Sequence, residues 1–127
     1  FLTMYTQAGA RVIQNSTQPQ IGVMTQMSLQ NGWVGSGADH DGLFYRVNED
    51  GTVSVHGNIR NGTNSPQTVI AWLPLEVAPK IKCYIQAWCN GNRDGILIIR
   101  TDGAIVVPGT ILPDNQAVKV MEARYPK

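Results

Sequence analysis

The sequence predicts an all-β domain, either an antiparallel β-sandwich or a small β-barrel, and two observations support this prediction. Thirteen glycines and seven prolines are spread over 127 residues, so few stretches are long enough for a helix of three turns. The intervening segments are short, rich in β-branched and aromatic residues, and bounded by turn-forming clusters. Strands separated in this way are typical of sandwiches and barrels.

Two hairpins are the clearest predicted elements. Apolar and polar residues alternate in residues 43–47 and again in residues 52–59, and the turn between them contains Gly51, which suits the left-handed position of a hairpin turn. The second hairpin joins residues 95–100 to residues 104–107 through an Asp-Gly turn. Both patterns predict pairs of neighbouring antiparallel strands.

Three further segments complete the predicted fold. Residues 68–73 and 81–89 are rich in β-branched and aromatic residues and indicate two more strands. Residues 116–125 fit either a final strand or a short helix, because small and β-branched residues are mixed there.

Residues 1–28 differ in composition from the rest of the chain. They are rich in glutamine, serine and threonine with isolated apolar residues between them, so they cannot assemble a core of their own. We therefore expect a neck or stalk over residues 1–28 and a β head domain over residues 29–127. The sequence begins without an initiator methionine, which predicts a further N-terminal part.

Charge and cysteine usage exclude several classes of protein. Ten basic and nine acidic residues give a net charge of +1, and the basic residues are scattered, whereas nucleic-acid binding needs clustered cations. No apolar run approaches the roughly 20 residues of a membrane span, so no membrane insertion is expected. On one extended strand, Cys83 and Cys89 would lie about 20 Å apart, too far for a disulfide. Free thiols favour assembly in a reducing cytoplasm.

The segment 81–89 contains the candidate binding face. Alternate side chains of a strand point to opposite faces, so an apolar set faces the core while Tyr84 and Trp88 face outward. The inward set is Ile81, Cys83, Ile85, Ala87 and Cys89, and the outward set is Lys82, Tyr84, Gln86 and Trp88. An exposed aromatic pair is costly unless something covers it. A neighbouring subunit and the apolar face of a sugar ring would both provide that cover.

Polar residues that could bind hydroxyl or phosphate groups follow this strand directly. Amide, guanidinium and carboxylate groups in a predicted loop over residues 90–94 offer paired donors and acceptors. The candidate ligand-binding residues of this loop are Asn90, Asn92, Arg93 and Asp94, and the expected secondary contacts are His40, His56 and Arg60. Asn-Gly and Asp-Gly dipeptides also form turns without any ligand.

No catalytic residue, metal site or cofactor is predicted. The two histidines, His40 and His56, lie outside any nucleophile elbow. The Asp-Gly dipeptides at 50–51 and 102–103 are explained as turns. The acidic cluster at 39–42 lacks the alternating oxygen ligands of a calcium loop.

Four stretches taken in order resemble one protein family. They are LQNGW at 29–33, FYRVNEDGTVSVHGNIRNGT at 44–63, LPLEVAP at 73–79 and IIRTDGAI at 98–105. This pattern resembles the C-terminal head domains of receptor-binding, tail-fibre and baseplate proteins of tailed bacteriophages that infect Gram-positive bacteria. The segment 75–78 lacks the glycine and aromatic residue usual in the family.

The resemblance implies a function and an assembly. The expected protein is a homotrimer of β heads at the distal tail or baseplate of a virion, assembled in the bacterial cytoplasm and joined to other tail proteins through its N-terminal part. It would bind a cell-wall polysaccharide or teichoic acid. The alternatives are a purely structural module that trimerises or caps a tail, and a wall-glycan hydrolase.

Overall fold

In the part of the chain that the structure describes, the regular secondary structure is nearly all antiparallel β-strand. The computed structural model describes residues 21–35 and 42–126. Within these residues the strands are β1 (Thr25–Gln26), β2 (Val34–Gly35), β3 (Gly42–Val47), β4 (Thr52–Arg60), β5 (Val69–Trp72), β6 (Cys83–Cys89), β7 (Asn92–Ile99), β8 (Ala104–Val106) and β9 (Val118–Pro126). A single-turn 3-10 helix spans Leu75–Val77. The predicted all-β class is confirmed.

The strands form one curled sheet, and not two stacked sheets. Its order is β1-β3-β4-β9-β6-β7-β8-β5, with β2 paired to β4. Residues 27–30 contact both ends of this order. The Met27 amide donates to the Leu43 carbonyl (2.9 Å), and the Gln30 amide donates to the Ile70 carbonyl (2.7 Å). The curl therefore brings the first and last strands of the sheet towards each other, as in a barrel.

Both predicted hairpins are confirmed. Strands β3 and β4 pair without interruption from Gly42↔Asn58 to Val47↔Val53, and Gly51 in their turn has a φ of 85°. Strands β7 and β8 pair as predicted. The ambiguous segment at the C-terminal end is a strand, β9, which lies between β4 and β6 in the middle of the sheet. A helix in this segment would leave β4 and β6 without the strand that pairs with both of them.

The core fills the inside of the curl. Its largest fully buried side chains are Leu43, Ile59, Ile70, Leu97, Ile99, Ile105 and Leu112. The Tyr125 hydroxyl donates to the buried Val77 carbonyl (2.6 Å) and so ties the 3-10 helix to the end of β9. Trp33 lies directly on Gly62, where an added Cβ would be 2.0 Å from the indole.

Residues 21–28, which the sequence analysis assigned to the neck, contact the head. The Gly22 amide donates to the Val47 carbonyl (2.8 Å), β1 pairs with β3, and Met27 is buried in the core. Residues 1–20 of the predicted neck lie outside the described residues.

The two cysteines share β6 and are free thiols, as predicted. Ile81 was expected to face the core but is 79% exposed, because the strand begins at Cys83. The one helix of the described chain, a single 3-10 turn, is far too short to cross a membrane.

Candidate functional site

The outer face of β6 carries the exposed aromatic residues that the sequence predicts. Ile85, Ala87 and Cys89 are buried, whereas Tyr84 is 65% exposed and Trp88 is half-buried. The predicted alternation is therefore confirmed for residues 83–89. Both neighbours of β6 in the sheet, β9 and β7, contain an irregularity close to Trp88.

The first irregularity is a β-bulge in β9. Its register against β4 passes from Val55↔Ala123 to Gly57↔Val120, which leaves one extra residue in β9. A bulge of this kind re-aims side chains, and bulges are common next to active sites. The consecutive residues Met121 and Glu122 are accordingly both exposed, although regular alternation would turn one of them inward.

The second irregularity is a β-bulge in β7, opposite Trp88. The register passes from Ala87↔Gly95 to Cys89↔Asn92, so β7 also has one residue more than its partner. The guanidinium of Arg93 in this bulge lies 5.5 Å from the centre of a Trp88 ring, within the range of a cation–π interaction.

Gln86 fixes Arg93 in this position. Its side-chain amide donates to the Arg93 carbonyl (3.1 Å), and the Arg93 guanidinium donates to the Gln86 amide oxygen at the longer distance of 3.4 Å. A ligand that stacks on Trp88 must therefore use ring surface that the guanidinium leaves open.

Two grooves meet at Trp88 and Met121. The first, which we call the polar groove, has a volume of about 280 Å³ and is lined by Tyr84, Ile85, Gln86, Trp88, Met121, Glu122, Ala123 and Arg124. The second, the apolar groove, has a volume of about 400 Å³ and is lined by Asn58, Trp88, Gly91, Ala117, Val118, Lys119 and Met121. Together they offer aromatic surface beside hydrogen-bonding groups, the combination that a sugar ring requires.

Charged side chains surround the grooves. Glu122 lies between two arginines, with its carboxylate 3.5 Å from Arg124 and 3.8 Å from Arg46. The Lys82 ammonium lies 5.6 Å from the centre of the Tyr84 ring. Lys119 is paired in register with both Asn58 and Trp88. Scattered in the sequence, these cations share one face of the sheet because β9 lies between β4 and β6.

The prediction of a loop over residues 90–94 is wrong. Asn90 and Gly91 form a two-residue hairpin turn, with φ angles of 50° and 86°, and Asn92–Ile99 is strand β7. Positive φ at both central residues is the geometry that Asn-Gly favours. Arg93 joins the aromatic pair, whereas Asp94 lines a different cavity, together with Ile96 and Pro108.

His56 and Arg60, which were predicted as secondary ligand contacts, lie outside the grooves beside Tyr84 and Trp88. The His56 ring stacks on Phe44, with ring centres 5.7 Å apart, on strands two or more positions from β6 in the sheet. Arg60 is exposed at the end of β4. Neither residue lines the polar or the apolar groove. His40 lies outside the described residues.

Sequence reasoning placed Gln86 on the outward face without assigning it to the site. The other groove residues with polar or exposed large side chains that it missed are Asn58, Lys119, Met121, Glu122 and Arg124. One signal was present. The apolar residues of β9 that pack on the core step from the buried Val120 to the partly buried Ala123, a spacing of three residues where regular alternation requires two. That spacing is the mark of a bulge, but it can be interpreted only after the segment is known to be a strand.

The described residues do not contain a group of three or more histidine, cysteine and acidic side chains that could hold a metal ion. The acidic cluster before β3 lies outside them. Burial raises the pKa of both the Cys83 and the Cys89 thiol, which disfavours the thiolate needed for nucleophilic chemistry.

Comparison with solved structures places this fold beside that of a bacteriophage receptor-binding protein. The matching protein is the receptor-binding protein (gp15) of Listeria phage PSA, with a TM-score of 0.65 and 19% sequence identity. The match covers 83% of this chain and 65% of that chain. The fold is therefore similar to that of a phage receptor-binding protein, which agrees with the receptor-binding part of the resemblance seen in the sequence. No protein-family model and no curated protein matches the sequence.

Proposed function

We propose that this chain is a host-adhesion domain of a phage tail and that the outer face around Tyr84 and Trp88 binds a cell-surface glycan. One observation carries the proposal: an exposed Tyr and a half-buried Trp line grooves that also contain a carboxylate, a guanidinium and an amide. The aromatic rings would cover the apolar face of a sugar, while the polar groups would exchange hydrogen bonds with its hydroxyls. The likeness in fold to a phage receptor-binding protein supports the same assignment.

The proposal includes an assembly, a location and a ligand class. The chain would act as a homotrimer at the distal tail or baseplate and would join other tail proteins through an N-terminal part. Its ligand would be a wall polysaccharide or a teichoic acid. Shallow grooves bind weakly one at a time, so several heads per particle would provide the required avidity.

Replacement of the half-buried tryptophan tests the binding site. Trp88→Ala removes surface shared by both grooves, and we expect binding to intact Gram-positive cells and extracted wall glycans to weaken at least about tenfold, equivalent to 1.4 kcal/mol. Light scattering on the same samples reports the oligomeric state. Trp72→Ala is the matched control, since Trp72 is 47% exposed and lies on β5, three positions from β6 in the sheet.

The two variants together separate the possible results. A Trp88→Ala protein that stays trimeric, loses binding and differs from Trp72→Ala supports the proposal. Equal binding by wild type and both variants contradicts the glycan site. A Trp88→Ala trimer that dissociates assigns Trp88 to a subunit interface.

A structural module is the second candidate function. It is favoured by exposed apolar side chains on the same face, among them Tyr84, Ile96 and Met121, which a neighbouring subunit would also cover. Such a module would form a stable trimer whose surface binds no wall material. Labelling of cells by the isolated domain separates the two candidates.

The proposal assigns no catalytic step to the chain. We expect incubation with purified cell wall to release no soluble sugar and no new reducing ends. Turnover that is lost on replacing Asp39 or Asp94 with Asn would instead support the wall-hydrolase alternative.

A further inference from the structure

The polar groove has a specific charge balance. Its lining contains one carboxylate, Glu122, and one guanidinium, Arg124, so its net formal charge is zero. Three more cations lie near this lining: Arg46 beside the Glu122 carboxylate, Arg93 over the Trp88 ring and Lys82 over the Tyr84 ring. Glu122 is therefore the one charged acceptor among the residues that line the groove, and it suits a ligand that donates hydroxyl hydrogens.

Glu122 reaches the groove because of the β9 bulge. Regular pairing would place a single outward residue between Val120 and Ala123, but the extra residue allows both Met121 and Glu122 to face outward. Met121 belongs to both grooves, whereas Glu122 lines only the polar one. The bulge thus adds a carboxylate to the groove without removing its apolar wall.

The neighbours of Glu122 hold its carboxylate in place. Arg124 and Arg46 lie on either side of it, and the Ser54 hydroxyl donates to it at 3.5 Å. The Glu122 side chain is still 47% exposed. An ionised carboxylate is an acceptor only and has about four lone-pair sites, so it can accept hydrogen bonds from a ligand as well.

We propose that Glu122 determines the specificity of the polar groove by accepting hydrogen bonds from a pair of hydroxyl groups on a neutral sugar unit. Arg124 donates to a neighbouring oxygen of the same unit. A phosphate has no hydroxyl pair to donate to Glu122. The surrounding cations attract a phosphate, whereas the Glu122 carboxylate repels it, so Glu122 is the group that disfavours phosphate at this site. This inference rests on the proposed function, because it assigns the chemistry of the same site.

Glu122→Gln is the direct test, since it keeps the size of the side chain but replaces an acceptor oxygen with a donor and removes the charge. Glu49→Gln is the matched control, because Glu49 is exposed in the turn between β3 and β4 and its replacement changes the net charge equally. The two probes are a neutral wall polysaccharide and a phosphate-bearing teichoic acid, extracted separately from the same cells. Thermal unfolding verifies that both variants are folded.

We expect Glu122→Gln to bind the neutral polysaccharide at least about tenfold more weakly than wild type, and to bind the teichoic acid as well as or better than wild type. Glu49→Gln should match wild type with both probes. Unchanged binding of the neutral polysaccharide by Glu122→Gln overturns the inference, as does parallel loss of both ligands. Wild type that binds only the teichoic acid overturns the inference but leaves the proposed function intact. Wild type that binds neither probe overturns both.

Discussion

Strands β3 and β4 differ from strands β9, β6 and β7 in the regularity of their pairing. The β3–β4 hairpin pairs residue by residue from Gly42 to Val47 with no shift in register. Strand β9 has an extra residue against β4, and β7 has an extra residue against β6. Both extra residues lie close to Trp88, beside the grooves.

The regular β3–β4 hairpin supports the core, whereas the bulged strands β9 and β7 present additional side chains on the outer face of the sheet. In the regular hairpin, alternate residues such as Leu43 and Val55 are buried without interruption. In the bulged strands, consecutive exposed residues such as Met121 and Glu122 increase the number of side chains on the outer face. A bulge does this at little cost to the core, because alternation resumes after it.

Single-residue deletions should show this difference most strongly. Deleting Ser54 from the regular part of β4 would move every following side chain of the strand to the opposite face, so we expect loss of the cooperative unfolding transition. Deleting Glu122 removes the extra residue of the β9 bulge and leaves Val120, Met121 and Ala123 alternating. We expect this second variant to fold, as followed by circular dichroism and chemical denaturation.

The deletion pair can also contradict the comparison. If the Glu122 deletion unfolds the protein as completely as the Ser54 deletion, the bulge is required by the fold and is not a feature of the outer face alone. If both deletions are tolerated, the register of β4 is less constrained than its buried residues indicate.

Tyrosine-to-phenylalanine substitutions on the two faces should differ by a smaller amount. Burial raises the pKa of Tyr125, so its phenol stays protonated and donates to the Val77 carbonyl (2.6 Å). Tyr125→Phe leaves that buried carbonyl unpaired, which should lower the free energy of unfolding by about 1–3 kcal/mol. Tyr84→Phe, on the exposed outer face, should leave it nearly unchanged.

Urea titrations of both variants measure this difference, with an unchanged denaturant dependence as the check that the folded state is intact. Equal stability of Tyr125→Phe and wild type would indicate that the Val77 carbonyl finds another donor.

The regular part of the fold could be predicted from the sequence because local signals agree there. Alternation in residues 43–47 and 52–59 and the glycine in their turn determine the β3–β4 hairpin without reference to the rest of the chain. The central position of β9 could not be predicted. Its partners, β4 and β6, are distant in the sequence, and its alternation is interrupted by the bulge.

The same limit applies to the candidate site. Tyr84 and Trp88 were identified from alternation within one segment, and Arg93 from the polar residues that directly follow it. Glu122 and Lys119 reach the site because β9 pairs with β4 and β6, which are distant in the sequence. Local sequence patterns do not predict pairing between distant strands. The Asn-Gly dipeptide was interpreted as part of a loop, although two-residue Asn-Gly turns are strong hairpin signals, and β7 consequently begins earlier than predicted.

The β3–β4 and β7–β8 hairpins have similar Asp-Gly turns. In the β3–β4 turn the Asp50 carboxylate accepts hydrogen bonds from the Thr52 hydroxyl (2.6 Å) and the Thr52 amide (3.0 Å). In the β7–β8 turn Asp102 accepts one from the Ala104 amide (3.1 Å). These hydrogen bonds lower the pKa of both carboxylates below the usual 3.8. The β6–β7 turn of the bulged region is different, because it is the two-residue Asn90-Gly91 turn.

Asp102→Asn should have the smallest effect. The new amide oxygen can still accept from Ala104, but without charge and without the ion pair to Arg100, so the free energy of unfolding at neutral pH should fall by under about 1 kcal/mol. Because the folded-state pKa of Asp102 is lowered, its contribution is present above the unfolded-state pKa and is lost as the pH falls through the folded-state value. The difference in the free energy of unfolding between wild type and variant should therefore shrink to zero in acid, as measured by urea titration across that range.

Asp94→Asn removes the same charge from the β7 bulge and controls for net charge. A difference for Asp102→Asn that stays constant into strong acid would show that the turn depends on the shape of the side chain and not on its ionisation.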